Sequence, residues 1–292
     1  RGAAGSAPRP VRNPTMAAAE QNKTTISAGR CLRVLQITDT HLFGNAAGRL
    51  VGMNTEDSSL EVLDKVLSSC WPVDLVLATG DIVHDGTELA YRRFKERFER
   101  LGVRTLVIPG NHDKPEMLRR VMRGGLVTAD SHLVMGRWQF VMLDSTVPGW
   151  DGGRLSDEQL QLLDRQLGER PDLHALVCLH HHPVSVSCAW IDPIGLANAD
   201  EFFAVIDRHP QVRGIVWGHI HQDFAAQRAG VQLLASPSTC IQFKPRQREF
   251  ALDDVPPGFR WLELYPDGRI VTAVERVEER ERQVDLLSNG YS

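Results

Sequence analysis

The sequence predicts an α/β domain with largely buried strands, and two observations support this prediction. From Leu32 onward, short apolar runs rich in β-branched residues end in small or polar residues and alternate with amphipathic stretches. In the amphipathic stretches, apolar residues return every three or four positions, which is the spacing of one face of a helix. A strand followed by a helix, repeated along a chain, is typical of an α/β fold.

Six apolar runs are predicted strands. They are LRVLQITDTH (32–41), VDLVLATGD (73–81), VRTLVIPGNHD (103–113), WQFVMLDST (138–146), HALVCLHHHP (174–183) and VRGIVWGHIH (212–221). Two amphipathic stretches, 88–102 and 156–169, are predicted helices, the second with a capping box formed by Ser156 and Gln159. Residues 224–243 and 258–274 then predict further strands that complete the same domain, with a YPDG turn at 265–268.

Composition limits the domain organisation and the function classes. The chain has 292 residues and a formal net charge of -4 at pH 7, which argues against sequence-independent nucleic-acid binding. Residues 1–29 are poor in large aliphatic side chains, which predicts a disordered extension or a tag. Residues 30–278 are predicted to form one domain, and residues 279–292 to form a charged extension.

Cysteine usage and hydropathy bear on the compartment. Five scattered cysteines without a CxxC pair indicate neither a disulfide framework nor a zinc ribbon. No stretch approaches the roughly 20 apolar residues of a membrane span, and the sequence lacks the layout of a secretory signal. We therefore expect a cytoplasmic protein without nucleic-acid or membrane partners, and the sequence leaves a homodimer open.

Polar residues concentrate at the carboxyl ends of the predicted strands, which is the edge where α/β sheets bind ligands. Four motifs lie there: DTH with Asp39 and His41, GD with Asp81, GNHD with Asn111 and His112, and GHIH with His219 and His221. In an extended strand end, residues two apart lie on the same side, so one cation can contact both members of DTH or of GHIH. The mixture of carboxylate, amide and imidazole donors suits Mn, Fe or Zn better than Ca.

Each motif also has an alternative explanation without function. A single GD after an apolar run is usually a turn, and GNHD can be a turn cluster of residues that tolerate turn dihedrals. Four such motifs on one edge make a metal site the better interpretation.

Five motifs follow one another along the chain: DTH, GD, GNHD, a histidine at a strand end, and GHIH. Their order resembles the signature of the calcineurin-like metallophosphoesterases over about residues 32–245. More narrowly, LQITDTHLFG, LHHHPV and ASPSTCIQFKP resemble the bacterial class III cyclic-nucleotide phosphodiesterases. The resemblance implies a four-layer αββα sandwich with two metal ions, Fe or Mn and alternatively Zn. It also implies hydrolysis of 3′,5′-cyclic AMP to 5′-AMP by in-line attack of a metal-bridging hydroxide.

The resemblance also implies roles for individual residues. One metal would take Asp39, His41, Asp81 and His221, and the other would take Asp81, Asn111, His219 and one histidine of the triplet 180–182. In the family that histidine usually lies two residues before a proline, which selects His181 because Pro183 follows. His112 would protonate the leaving group, its alternative being to orient Asn111. Substrate contacts would come from Asn111, His112 and His221, while the roles of His84, His180 and His182 stay open.

Two alternative functions remain at this point. The same core serves other phosphodiesters, such as glycerophosphodiesters, nucleotide pyrophosphates and 2′,3′-cyclic nucleotides, so these substrates stay open. A non-catalytic scaffold is disfavoured because every ligand position carries a competent residue.

Overall fold

The computed structural model of the chain describes residues 30–280 and 283–291. The strands are numbered in chain order as β1 (Leu32–Ile37), β2 (Arg49–Leu50), β3 (Met53–Asn54), β4 (Leu75–Thr79), β5 (Thr105–Ile108), β6 (Val127–Thr128), β7 (His132–Met135), β8 (Trp138–Met142), β9 (His174–Cys178), β10 (Val212–Trp217), β11 (Phe224–Arg228), β12 (Val231–Ala235), β13 (Gln242–Phe243), β14 (Leu252–Asp253), β15 (Gly258–Leu264) and β16 (Ile270–Arg276). The helices are α1 (Thr55–Ser69), α2 (Glu88–Glu99), α3 (Pro115–Val121), α4 (Asp157–Glu169) and α5 (Ala199–Ile206).

Two six-stranded sheets form the centre of the fold. The first sheet has the order β16-β15-β1-β4-β5-β6, and β1, β4, β5 and β6 run parallel to one another. The second sheet has the order β11-β12-β10-β9-β8-β7, and β8, β9, β10 and β12 run parallel. Each sheet therefore has a parallel centre whose strands end at one edge.

Alternation along the strands explains how the sheets are packed. In β1, Leu32 and Val34 pack into the apolar core between the two sheets, whereas Leu35 and Ile37 face the helices. Successive side chains of a strand point to opposite faces, so an almost continuous apolar run serves a sheet that is covered on both sides.

The helices cover the outer faces of the two sheets. Apolar side chains of α1, α2 and α3 pack on the first sheet, and those of α4 and α5 pack on the second. The layer order is helices, sheet, sheet, helices, which confirms the predicted four-layer αββα sandwich.

The predicted elements are present with shorter bounds. All six predicted strands form, as do both predicted helices, and the turn at 265–268 joins β15 to β16. The capping box forms in half: Ser156 Oγ accepts from Gln159 N at 3.3 Å, but the Gln159 side chain accepts from Asp144 N at 3.0 Å instead of reaching back.

The predicted extension at 1–29 lies outside the described residues. The charged segment at 279–292 is described in part, and residues 283–291 pack against the domain: Asp285 N donates to Val51 O at 2.9 Å, and Val284 and Tyr291 contact the core beside the second sheet. Among residues 30–280 and 283–291, no helix is both long enough and apolar enough to cross a bilayer.

Candidate metal site

The predicted motifs meet where the parallel strands of both sheets end. Asp39, His41, Asp81, His219 and His221 are buried there. Asn111 and His112 are half-buried. The first sheet supplies the residues that follow β1, β4 and β5, and the second supplies those that follow β9 and β10. Side chains 180 positions apart in the sequence therefore come into contact.

One group of side chains contains Asp39, His41 and His221. His221 Nε2 lies 3.3 Å from Asp39 Oδ1 and 3.3 Å from His41 Nε2. The other nitrogen of His221, Nδ1, donates to Ile241 O at 2.8 Å, which leaves Nε2 as the electron-pair donor facing the group. Three ligand atoms within 4.8 Å of one another can contact the same ion.

A second group contains Asn111, His180 and His219. Asn111 Oδ1 is 3.2 Å from His180 Nε2 and 3.0 Å from His219 Nδ1. His180 Nδ1 donates to Thr79 O at 2.8 Å, so Nε2 is the nitrogen that faces Asn111 and Asp81. The second group thus combines one amide oxygen with two imidazoles.

Asp81 lies between the two groups. Its Oδ2 is 3.7 Å from His41 Nε2 in the first group and 3.3 Å from His180 Nε2 in the second. A carboxylate in this position can be shared by two cations, which is the geometry of a two-metal site.

The backbone conformation of the loops differs from the predicted one. Asp39 and His41 have φ of 53° and 44°, and His219 and His221 have φ of 67° and 48°. The strands end before these residues, so the pairs converge through left-handed turns and not through the extended alternation that the sequence suggested. Non-glycine residues adopt this region rarely, and such strain accumulates at functional sites.

Gly80 permits the close approach of the two sheets. Its φ is +99°, and a Cβ at this position would lie 2.3 Å from His180 Nδ1. Any side chain here would displace His180, so glycine in the GD motif is a steric requirement.

Burial and the carboxylates set the pKa values of the cluster. Burial lowers the pKa of His41 and of His219 well below the usual value, so both imidazoles are neutral electron-pair donors at pH 7. Burial alone would raise the pKa of Asp81, but His180 and His112 lower it well below its usual range. For His180, burial lowers the pKa, but the charge and hydrogen bond of Asp81, the charge of Asp39 and the hydrogen bond to Thr79 O together raise it to about 9.

The histidine triplet is arranged differently from the prediction. β9 ends at Cys178, so strand alternation does not extend to the triplet. The ring of His181 bonds to Ser145 Oγ at 2.7 Å and Asp151 O at 3.1 Å, whereas His180 contacts Asp81 and Asn111. His182 lies 3.7 Å from Asp192, and its ring stacks on that of His219. His180 is thus the member of the triplet that faces Asp81 and Asn111, while ligand atoms of His180, His181 and His219 also lie within 4.8 Å of one another.

His112 lies beside the first group. Its backbone N donates to Asp81 Oδ1 at 2.9 Å, and its ring centroid is 4.9 Å from that of His41 and 4.8 Å from that of His84. Burial and the charge of His112 lower the pKa of His84 to about 4, so His84 is a neutral ring on which His112 stacks. His84 is thus part of the site.

Sequence reasoning missed the residues that hold the GNHD loop. Asp113 accepts from Ile82 N and Val83 N at 3.1 Å, from Gly110 N at 2.9 Å and from Tyr91 Oη at 2.9 Å. The position of Asp113 in the motif was a usable signal, whereas Tyr91 looks like any apolar position of an amphipathic helix. Tyr291, whose ring centroid is 5.6 Å from that of His112, carried no local signal at all.

The donor set fits transition metals. It offers imidazoles, two carboxylates and an amide oxygen, and among the described residues the buried His219 Nε2 has no hydrogen-bond partner. Imidazole with carboxylate suits Mn, Fe or Zn, whereas Ca prefers oxygen donors alone.

Comparison with known proteins identifies relatives of this chain. A model of the calcineurin-like phosphoesterase family matches residues 32–223. The 3′,5′-cyclic adenosine monophosphate phosphodiesterase CpdA of Pseudomonas aeruginosa is 40% identical over 271 residues, which cover 93% of this chain and 99% of that protein. The CpdA of Escherichia coli (strain K12) is 41% identical over 261 residues, 89% of this chain and 95% of that protein.

Among solved structures, a dimetal phosphatase from Danio rerio superposes with a TM-score of 0.58 at 19% identity. The match covers 85% of this chain and 100% of that one. At this identity the likeness concerns the fold alone.

Proposed function

This chain belongs to the calcineurin-like phosphoesterase family, and we propose that it is a metal-dependent phosphodiesterase that hydrolyses 3′,5′-cyclic AMP to 5′-AMP. The substrate follows from relatives about 40% identical over nearly their whole length, which are named as phosphodiesterases of this nucleotide. The structural observation that supports the reaction is Asp81, whose carboxylate lies between two groups of ligand side chains.

We assign the ligands as two sets that share Asp81. The first metal would be held by Asp39, His41, Asp81 and His221, and the second by Asp81, Asn111, His180 and His219. His180 replaces the predicted His181 in the second set because its Nε2 faces both Asp81 and Asn111. Iron or manganese, and alternatively zinc, match these donors. When bound, such metals lower the pKa of water and stabilise negative charge on a phosphoryl group.

The residues of the chain orient the substrate and move one proton. Asn111, His112 and His221 would contact the phosphoryl group, and no basic patch is needed there because the metals would offset its charge. In the reaction a water gives up one proton to solvent, its oxygen bonds to phosphorus, and the bond from phosphorus to the 3′ oxygen breaks. The departing 3′ oxygen gains a proton from His112, which lies beside the first ligand group and is held by its backbone bond to Asp81.

His84 positions His112 for this step. Its ring is stacked on that of His112 with an interplanar angle of 23°, and its Nδ1 is 3.3 Å from His41 Nδ1. His112 therefore has one preferred ring orientation, which a general acid requires.

A substrate panel tests the proposed function. Purified protein loaded with Mn²⁺ is assayed with 3′,5′-cyclic AMP, 3′,5′-cyclic GMP, 2′,3′-cyclic AMP, a glycerophosphodiester and a nucleotide pyrophosphate, and products are separated by chromatography. We expect 5′-AMP from 3′,5′-cyclic AMP as the most efficient reaction. If the loaded protein releases no 5′-AMP, the proposal is refuted. If another diester is hydrolysed faster, the substrate assignment changes to that diester and the assignment of the metal site stays the same.

A further inference from the structure

Tyr291 extends the site beyond the residues assigned so far. Its ring centroid is 5.6 Å from that of His112, 6.1 Å from that of His41 and 6.1 Å from that of His221. A tyrosine far from every family motif in the sequence thus lies over the face where the phosphoryl group binds.

The segment that carries Tyr291 is attached to the domain. Asp285 N donates to Val51 O at 2.9 Å, and the side chain of Arg49 donates to Gln283 Oε1 at 3.1 Å. Ser288 N donates to Asp285 O at 3.1 Å, which turns the chain towards the site. These bonds place residues 283–291 along the β2–β3 hairpin. The position of Tyr291 is therefore set by the hydrogen bonds of its segment as well as by the contacts of its ring.

Tyr291 is one of four aromatic residues that form a continuous surface. Its ring lies 5.8 Å from that of Phe250 with an interplanar angle of 18°, and 5.1 Å from that of Phe243. Trp190 contacts both phenylalanines, at 5.0 and 5.1 Å. Phe243 in turn stacks on His221, with 4.1 Å between centroids and an angle of 8°. The aromatic surface therefore begins at a metal-ligand position and continues away from it.

Such a surface suits a purine base. Tyr291, Phe250 and Trp190 are half-buried, whereas Phe243 is buried, so the accessible part of this aromatic surface comes from the first three residues. Aromatic side chains bind bases through their faces, and every base offers a π-face for stacking. In a 3′,5′-cyclic nucleotide the fused rings hold the base at a short, nearly fixed distance from phosphorus, so a phosphoryl group at the metals brings the base towards this surface.

We propose that Tyr291 is a specificity-determining residue whose ring, together with Phe250, forms the wall against which the purine base of the substrate packs. The inference rests on the function proposed above, because it needs a nucleotide as substrate. The alternative is that Tyr291 occupies the substrate position and blocks it, and the two alternatives predict opposite changes in activity.

The test compares Tyr291→Ala and Tyr291→Phe with wild type in the full chain loaded with Mn²⁺. The two substrates are 3′,5′-cyclic AMP and its abasic analogue, methyl ribofuranoside 3′,5′-cyclic phosphate. We expect Tyr291→Ala to raise KM for cyclic AMP by about 5- to 150-fold, the range that corresponds to one lost base stack, with little change in kcat/KM for the abasic analogue. Tyr291→Phe keeps the ring and should retain the wild-type KM.

Tyr265→Ala is the matched control. It removes the same side chain from the turn between β15 and β16, where Tyr265 contacts Glu263 and Arg269, and KM for both substrates should stay at the wild-type value. Thermal unfolding of each variant establishes that it is folded.

Three outcomes would overturn the inference. An unchanged KM for cyclic AMP in Tyr291→Ala would show that the ring does not contact the base. A higher kcat/KM for both substrates would show that Tyr291 blocks the site. A wild type that does not hydrolyse cyclic AMP refutes the proposed function itself, and this result appears before any variant is compared.

Discussion

The two sheet edges that form the site supply different sets of proposed ligands. The edge of the first sheet carries every oxygen donor, namely Asp39, Asp81 and Asn111, together with one imidazole, His41, whereas that of the second sheet carries imidazoles alone: His180, His219 and His221. Each proposed metal takes ligands from both edges. Neither edge is a complete site, so the packing of one sheet on the other is itself part of the metal-binding structure.

The electrostatics of the two edges are complementary. The carboxylate of Asp81 on the first edge raises the pKa of His180 on the second to about 9, against the effect of burial. His219, on the same second edge, has its pKa lowered well below the usual value by burial and by neighbouring histidines. The first edge thus supplies the negative charge that stabilises either a protonated histidine or a metal cation at the boundary between the sheets.

Removing the shared carboxylate should have the largest effect. Asp81→Asn replaces the charge that faces both ligand groups, so we expect loss of bound metal and of detectable hydrolysis, measured by elemental analysis and by release of 5′-AMP. Asp130→Asn is the control, since Asp130 is an exposed carboxylate paired with Arg104. An Asp81→Asn protein that keeps two metals and its activity would contradict the role of Asp81 as the shared ligand.

The next effect separates two adjacent histidines of the second edge. His180→Ala removes the ring that faces Asp81 and Asn111, and we expect it to lose one of two metals and most activity. His181→Ala removes a ring bonded to Ser145 and Asp151, and a loss of about 10- to 100-fold in metal affinity is expected for such a supporting contact. Metal titration measures both, and the reverse ranking would restore His181 as the ligand.

A smaller effect is expected for His112, the residue proposed to protonate the leaving group. His112→Ala should lower kcat by about 10²- to 10⁴-fold, the usual contribution of a general acid, while metal content stays at the wild-type level because His112 is outside both ligand sets. Elemental analysis and steady-state kinetics on the same sample test this. If metal is lost together with activity, His112 acts by holding the site together.

The smallest effect concerns a bond between the two sheets. Gln36 Nε2, on β1, donates to Trp217 O on β10 at 2.9 Å and contacts Thr79 Oγ1 at 3.0 Å, all of them buried. Gln36→Leu leaves these acceptors without their donor and should lower the free energy of unfolding by about 1 to 3 kcal/mol in urea. Metal affinity should fall with it, and unchanged metal affinity would show that the edges are held in register without this bond.

The strands and their polar ends could be predicted because both are local properties of the sequence. The apolar runs indicated β1, β4 and β10, and the edge rule for α/β sheets placed the motifs together. The local geometry could not be predicted, because Asp39 and His221 adopt left-handed conformations that alternation along a strand does not indicate.

Within the triplet, His181 was selected by its spacing from Pro183, which the resemblance implies. The sequence does not show which ring faces Asp81, because β9 stops at Cys178 and the loop that follows turns His180 towards Asp81 and Asn111. The place of Tyr291 in the site could not be predicted from the sequence for another reason. Its contacts with His41 and Phe243 link residues distant in sequence, and nothing in the segment around it signals such contacts.

The most direct test of the two-edge site is a Mn²⁺ titration of the metal-free protein with release of 5′-AMP from 3′,5′-cyclic AMP as the signal. If the site holds two ions that share Asp81, activity should rise until two equivalents per chain are bound and then level off. Saturation at one equivalent, or no 5′-AMP at any ratio, would contradict it.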